Sequence, residues 1–351
     1  MRKERTTWIP VEASGITEEK AQELEIGDID AGELTHFTPE FVDTKVQDLN
    51  VKTVLKEVYL GQRNFQEARI SQPEATVKIK TDKPVTTFFV GDVHFGSMYT
   101  DHKKFMDDMQ KIEDHPNAFV CFMSNLIDNA IPSQFPDGML SNPIPPDKQV
   151  VSMRKIVQNL DKKGKVIAAV TSPCHEGWTY KKTGQDVNAL IFGFEGRNFP
   201  VLENGGRVNL DVGKQRYKIN LFHQVGPFES NFNETHALRQ MNRLNLNMEA
   251  DVVVGAHKHN ASAQQSFEGV NRKPVVYIRS GTYKGTGKIN DQWAIGKYGP
   301  GGAEPSGQSV TMFPEKKKMI PSLELDAGMD MHDAFFLTRA IKKLKEKLGK
   351  K

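Results

Sequence analysis

Phe88-Phe89-Val90-Gly91-Asp92-Val93-His94-Phe95-Gly96 is the stretch on which the fold turns. A β-branched and aromatic run from Val85 to Val90 stops abruptly at Gly-Asp-x-His. It reads as a buried strand carrying two metal-ligating residue types at its C-terminal tip. In open α/β sheets that tip is where ligands bind. Asp92 and His94 stand two apart, so an extended segment would project both to one side. A carboxylate and an imidazole converging there suit a divalent metal. The same residues also fit a plainer reading, an Asp capping the next helix with a His packed beside it.

Working outward, the pattern repeats. Phe105, Met109 and Ile112 share one face of a helix expected over 101–114. Ala118 to Met123 reads as a second buried strand, ending in Ser124-Asn125-Leu126-Ile127-Asp128. A Pro- and Ser-rich loop follows from Ile131 to Pro146, long enough for a lid or a partner contact. Val150 to Leu160 reads as a helix, and Val166 to Val170 as a strand ending in Pro173-Cys174-His175-Glu176. Val208–Val212 and Tyr217–Phe222 flank Gly213-Lys214, a hairpin signal, and the second of them ends at His223. A polar helix is expected over 234–249. Asp251 to Val254 is a strand ending in Gly255-Ala256-His257-Lys258-His259, and Val275 to Ile278 is another. This strand–helix–strand rhythm argues for an α/β layered core.

The flanks carry less chemistry. Residues 1–80 read as an accessory region, with a helix capped by Thr17 and a helix or two between Asp48 and Ile70. Residues 81–290 form the main domain. Residues 291–351 hold a Gly/Pro-rich loop and a basic amphipathic helix on which Leu337, Ile341, Leu344 and Leu348 share a face, expected to dock by that face.

Of the 351 residues, 26% are charged and 38% hydrophobic, the balance of a globular chain with a sizeable core. A formal charge of +3 gives no global field for nucleic acid. Zinc-finger spacing and basic runs interleaved with aromatics are both missing, which disfavours a dedicated DNA-binding protein. No apolar run is long enough to span a bilayer, and Met1-Arg2-Lys3-Glu4-Arg5 lacks the apolar core of a signal peptide. With only Cys121 and Cys174 as cysteines, a reducing cytoplasm is the expected setting, without a disulfide framework.

Five strand ends thus carry Asp92/His94, Asn125, Cys174/His175, His223 and His257/His259. A lone histidine is usually structural, but His-x-His after a buried strand is a stronger signal. The order of these blocks resembles the calcineurin-like metallophosphoesterases, most of all their small bacterial and bacteriophage members. That family runs Asp-x-His, Gly-Asp-x-x-Asp, Gly-Asn-His-(Asp/Glu), a His, and Gly-His-x-His, and the resemblance spans roughly residues 84–285. It implies a metallophosphoesterase-like four-layer α/β/β/α sandwich with every ligand on loops at one end. It implies one metal held by Asp92, His94 and His259, a second held by Cys174, His223 and His257, and Asn125 between them. The ions would be Mn, Zn or Fe, one or two of them, activating a water against a phosphate ester. His175 would assist the leaving group, and Asp128 would orient a ligand.

Two departures fall on that centre. Position 125 carries an amide where the family has a bridging carboxylate, and position 174 carries a cysteine where it has an asparagine. A thiolate favours zinc or iron over magnesium and manganese. The lead-in glycines are replaced by Ser124, Pro173 and Ala256. Two functions therefore compete. One is a phosphoesterase, most readily a phosphodiesterase, whose substrate includes nucleic acid among its forms. The other is a catalytically degenerate protein of the same fold, an accessory or structural subunit that binds a protein partner through residues 1–80 or the C-terminal tail.

Overall fold

A strand that is apolar on both faces must sit in the middle of a layered structure, and all six residues of Val85–Val90 are buried. The computed structural model describes residues 51–67, 73–134, 136–226, 233–244, 249–286 and 303–348. The chain divides into two units, Met1–Ile70 and Ser71–Lys351. In the first, the described part is a single helix, α1 (Val51–Glu67), with Val51, Leu55, Val58 and Tyr59 exposed. The helix expected after Thr17 lies outside the described residues.

The second unit contains twelve described strands in two six-stranded sheets. In chain order they are β1 (Glu74–Ile79), β2 (Val85–Val90), β3 (Ala118–Phe122), β4 (Val166–Thr171), β5 (Val201–Glu203), β6 (Gly205–Val212), β7 (Gln215–Phe222), β8 (Val252–Gly255), β9 (Ser262–Glu268), β10 (Lys273–Arg279), β11 (Ser309–Met312) and β12 (Met319–Ser322). One sheet has the order β12-β11-β2-β3-β4-β5, with β2 to β5 parallel. The other has the order β1-β6-β7-β8-β10-β9 and is mixed. The hairpin expected at Gly213-Lys214 joins β6 to β7.

The sheets pack face to face. Phe89, Cys121, Ile167 and Leu202 of the first meet Leu210, Ile219, Val254 and Ile278 of the second in one apolar cluster. Helices cover the outer faces. On the first sheet lie α2 (His102–Asp114), burying Phe105, Met109 and Ile112, and, beyond the short α3 (Pro136–Leu140), α4 (Pro146–Lys162), burying Met153, Val157 and Leu160. Two short helices follow, α5 (His175–Thr183) and α6 (Val187–Phe192). On the second sheet lies α7 (His236–Leu244), whose Ala237 and Leu238 pack with Val253 and Tyr277. The result is a four-layer α/β/β/α sandwich.

The sandwich reaches past both ends of the 81–290 span. β1 pairs with β6, and β11 pairs with β2. β1 is an edge strand of alternating exposed and half-buried residues, so it lacks the apolar run that marks the central strands. The C-terminal helix α8 (Leu325–Leu348) differs from expectation in its docking face. Leu325, Gly328 and His332 face the body, and a Cβ on Gly328 would lie 2.5 Å from Ser309 Oγ. Leu337, Ile341, Leu344 and Leu348 are exposed instead. At about 100° per residue they lie nearly opposite the docked face. None of the helices among the described residues is long and apolar enough to cross a membrane.

Candidate metal centre

Parallel strands from both sheets end at the same edge, so their following loops converge. Backbone bonds lock them together. Asp92 N donates to Ser124 O at 3.1 Å, His94 N to Asn125 O at 3.0 Å, and Ala256 N to His223 O at 3.1 Å. Gly91 permits this closeness, because a Cβ there would come within 2.8 Å of Met123 Cβ. The extended geometry expected for Asp92 and His94 is not what forms. Asp92, His94, Ser124, Asn125, Asn129, His257 and His259 all have φ between 44° and 75°. This left-handed region is sparsely used by residues other than Gly, Asn and Asp, and such outliers cluster at functional sites. The turn after each strand swings the side chains toward one centre, where Asp92 and His94 meet in one group and His257 and His259 part into different ones.

Two ligand groups result. In the first, Asp92, His94 and His259 are all buried. His94 Nε2 lies 3.2 Å from His259 Nε2 and 3.8 Å from Asp92 Oδ1, and His259 Nε2 lies 3.7 Å from Asp92 Oδ1. A point equidistant from these three atoms is about 2.1 Å from each, the length of a zinc–nitrogen or zinc–oxygen bond. His94 Nδ1 donates to Asp128 Oδ1 at 3.0 Å, which leaves the Nε2 lone pair for the centre. The second group is Cys174, His223 and His257. His223 Nδ1 donates to Met123 O at 2.6 Å and so presents Nε2. Cys174 Sγ lies 3.9 Å from His257 Nδ1. The donor sets fit divalent metals: one N₂O and one N₂S, with one histidine of each, His94 and His223, held in its tautomer by a neighbouring acceptor. Asp92 links the groups, since its Oδ2 accepts from His257 N at 2.6 Å.

Asn125 lies at the junction. Its Nδ2 donates to Asp92 Oδ1 at 2.9 Å, and its Oδ1 accepts from Ser172 Oγ at 3.4 Å. His175 and Asp128 sit beside the first group. His175 Nδ1 donates to the Asp128 carbonyl at 2.5 Å, its ring meets His94 edge-on at 4.5 Å, and Trp178 stacks behind it at 4.1 Å. Asp92, Asn125, His223 and His257 therefore converge as the strand ends suggest. Asn142, from the loop read as a lid, donates to Asp128 Oδ2 at 2.7 Å, so part of that loop is tied to the site.

Two buried groups escape sequence reasoning. Glu176 accepts from the N–H groups of Asn125, Leu126 and Ile127 at 3.2, 2.5 and 3.3 Å, and so shapes the loop that presents Asn125. Its signal is the acidic residue after His175. Lys284 places Nζ 2.9 Å from Asp128 Oδ1 with its side chain buried. A lone lysine one residue past a strand-end loop carries no spacing that marks it.

The electrostatics follow burial. Desolvation raises the Asp92 carboxyl against the opposing pull of His94 and His257. It lifts the Cys174 thiol to about 11 and Glu176 to about 7. Burial pushes His175 and His259 well below the imidazole range, and the closeness of His94 acts in the same direction. Asp128 goes the other way. Burial alone would raise it, but the His94 hydrogen bond and the Lys284 charge hold it well below the carboxylate range.

No family model matches this chain, and no curated protein does. Among solved structures it is similar to vacuolar protein sorting 29 of Cryptosporidium parvum, at 16% identity over 69% of this chain and 98% of that one, with a TM-score of 0.34. It is also similar to wild-type Vps29 of Entamoeba histolytica, complexed with Zn²⁺, at 13% identity over 68% of this chain and 98% of that one, with a TM-score of 0.31. The fold assignment rests on the layers and strand order themselves. They define the class: a four-layer α/β/β/α sandwich with two adjacent groups of residues able to hold a metal on the loops at one edge.

Proposed function

We propose that this protein is a metal-dependent phosphoesterase, most readily a phosphodiesterase, acting at the edge where the ligand loops meet. The observation that carries this reading is the adjacency of the two ligand groups, Asp92/His94/His259 and Cys174/His223/His257, joined through Asp92. When bound, two such ions polarise a phosphoryl oxygen and lower the pKa of water. The chain's own residues supply the rest. Asp128, anchored by Lys284 and Asn142, fixes the His94 ring. The Asp128 carbonyl accepts a hydrogen bond from His175 Nδ1–H, which leaves Nε2 as the atom that exchanges a proton with the leaving oxygen. A phosphate's negative charge beside it offsets the burial that otherwise keeps the ring neutral.

A second reading has one specific observation behind it. Asn125 donates to Asp92 Oδ1, a candidate ligand atom, from the position where the resembling family holds a bridging carboxylate. On this reading the protein is a degenerate member that binds a partner, an accessory subunit in a bacteriophage or bacterial assembly, and works in the cytoplasm. Elemental analysis of the purified protein, together with hydrolysis of bis(p-nitrophenyl) phosphate in Mn²⁺ or Zn²⁺, separates the two. Metal-dependent turnover is expected. Bound metal without turnover on this diester or on p-nitrophenyl phosphate would replace the enzyme with the binding protein.

A further inference from the structure

A third cluster lies at the other end of the sandwich. His115 caps the C-terminus of α2, while His332 and Asp333 lie on α8. The Pro84 carbonyl that touches this cluster precedes β2, and Asn117 beside it precedes β3. The ligand loops described above follow the opposite ends of the same strands. Five or six residues of strand separate the two ends, roughly 15–20 Å.

The hydrogen bonding of His332 is incomplete in an informative way. Its ring is 1% exposed. Its Nε2 lies 3.2 Å from the Pro84 carbonyl, which only accepts, and 3.2 Å from Asn117 Nδ2, which only donates; in the tautomer that donates to Pro84 the lone pair is on Nδ1. Nδ1 is buried with no hydrogen-bond partner. Asp333 Oδ1 lies 3.6 Å from it, so in that tautomer a lone pair faces a carboxylate. His115 Nε2 approaches the same oxygen at 3.3 Å, and the two imidazole rings meet edge-on at 4.4 Å. In that tautomer a buried nitrogen acceptor faces an exposed carboxylate, and a cation between them relieves the repulsion. The other tautomer, with Nε2 accepting from Asn117, would put a proton on Nδ1 toward Asp333.

The geometry suits a metal instead. One nitrogen from each histidine and one Asp333 oxygen lie within 4.8 Å of one another. Ligand atoms on a tetrahedral zinc with bonds of about 2.0–2.1 Å stand about 3.4 Å apart. The observed 3.3 and 3.6 Å match that edge. Asp333 is exposed, which leaves a solvent-facing position for a water as the fourth ligand. Two imidazoles and a carboxylate form a donor set for zinc and its neighbours, not for magnesium or calcium.

We propose that His115, His332 and Asp333 form a separate divalent transition-metal site of the zinc type that clamps α8 to the end of α2. The site is structural in consequence. It bridges two helices far apart in sequence and fixes the root of α8, beyond which the apolar stripe Leu337–Leu348 runs exposed. It is independent of the phosphoesterase reading.

The test uses full-length protein stripped with chelator and reloaded with Zn²⁺. Asp333→Asn changes an exposed carboxylate and His115→Gln a helix-end residue, so both variants are expected to keep the fold. Each should bind one equivalent of zinc fewer than the parent, and the hydrolytic rate, if there is one, should stay the same. Zinc should slow tryptic cleavage within α8 in the parent and in neither variant. Equal zinc stoichiometry in the parent and both variants, or zinc-independent protection of α8 in all three, would overturn the proposal. It would leave an ordinary His115–Asp333 ion pair. His259→Ala should keep this equivalent while losing the one at the other edge, which separates failure here from failure there.

Discussion

The two candidate ligand groups at the strand-end edge share one carboxylate neighbour but are built differently. Asp92, His94 and His259 are buried within a network in which His94 leans on Asp128, and Asp128 on Lys284 and Asn142. In the second group Cys174 and His257 are half-buried and His223 is buried, with a thiol held protonated by burial and a looser 3.9 Å approach. The first half is preorganised by hydrogen bonds that exist without any ion. The second depends on a soft, proton-bearing ligand that must be deprotonated on binding. The first should therefore set affinity, and the second should set which metal is chosen.

The largest effect that could break this contrast is loss of a ligand. His259→Ala should abolish tight binding at the first half while the second still loads, read as one equivalent fewer by elemental analysis. Unchanged stoichiometry at this edge would remove the assignment. Next in size, His175→Ala should lower turnover by about 10²–10⁴-fold with metal content intact. A parallel loss of metal would make His175 a ligand, not a proton carrier. Asp128→Asn should weaken metal at the first half by about 10–100-fold, as outer partners of ligating histidines do, and leave the second half unaffected. Equal weakening of both halves would mean that the network is shared. The smallest effects sharpen the comparison. Cys174→Asn should move preference from Zn²⁺ toward Mn²⁺ at the second half alone. Asn125→Asp should lower the Tm of the metal-free protein, because two carboxylates then meet at the 2.9 Å contact. With metal the variant should recover that Tm and gain activity; a Tm that drops equally with metal present would place no ion between Asp92 and position 125.

Much of this was legible in the chain. The buried strands β2, β3 and β4 announce themselves as apolar runs, and their polar tips mark the site, because strand ends at one edge of a parallel sheet must converge. The amphipathic faces of α2 and α4 follow from helical spacing. The edge strand β1, exposed on alternate residues, the largely uncovered edge strand β9, and the four-residue β11 and β12 lack that contrast. Periodicity could not show that Asp92 and His94 take left-handed backbones, because φ is set by the bonds to Ser124 and Asn125 across the sheet. Nor could it show Lys284, whose role exists only once Asp128 is buried beside it. The face by which α8 docks was misread for a similar reason. The leucine stripe is the stronger sequence signal, but Gly328 and His332 make the close contact.

The left-handed turns at Asp92, His94, Ser124, Asn125, His257 and His259 have a consequence for how mutations will be tolerated. In a saturation library selected only for folding, glycine should be the best accepted substitute at these positions, with asparagine and aspartate next and valine, isoleucine and threonine last. That ranking would arise with no metal and no substrate present. A profile of tolerated residues at the site therefore mixes two pressures, one from the backbone and one from the ligands. The backbone's share can be isolated at Ser124, which has the turn but belongs to neither ligand group.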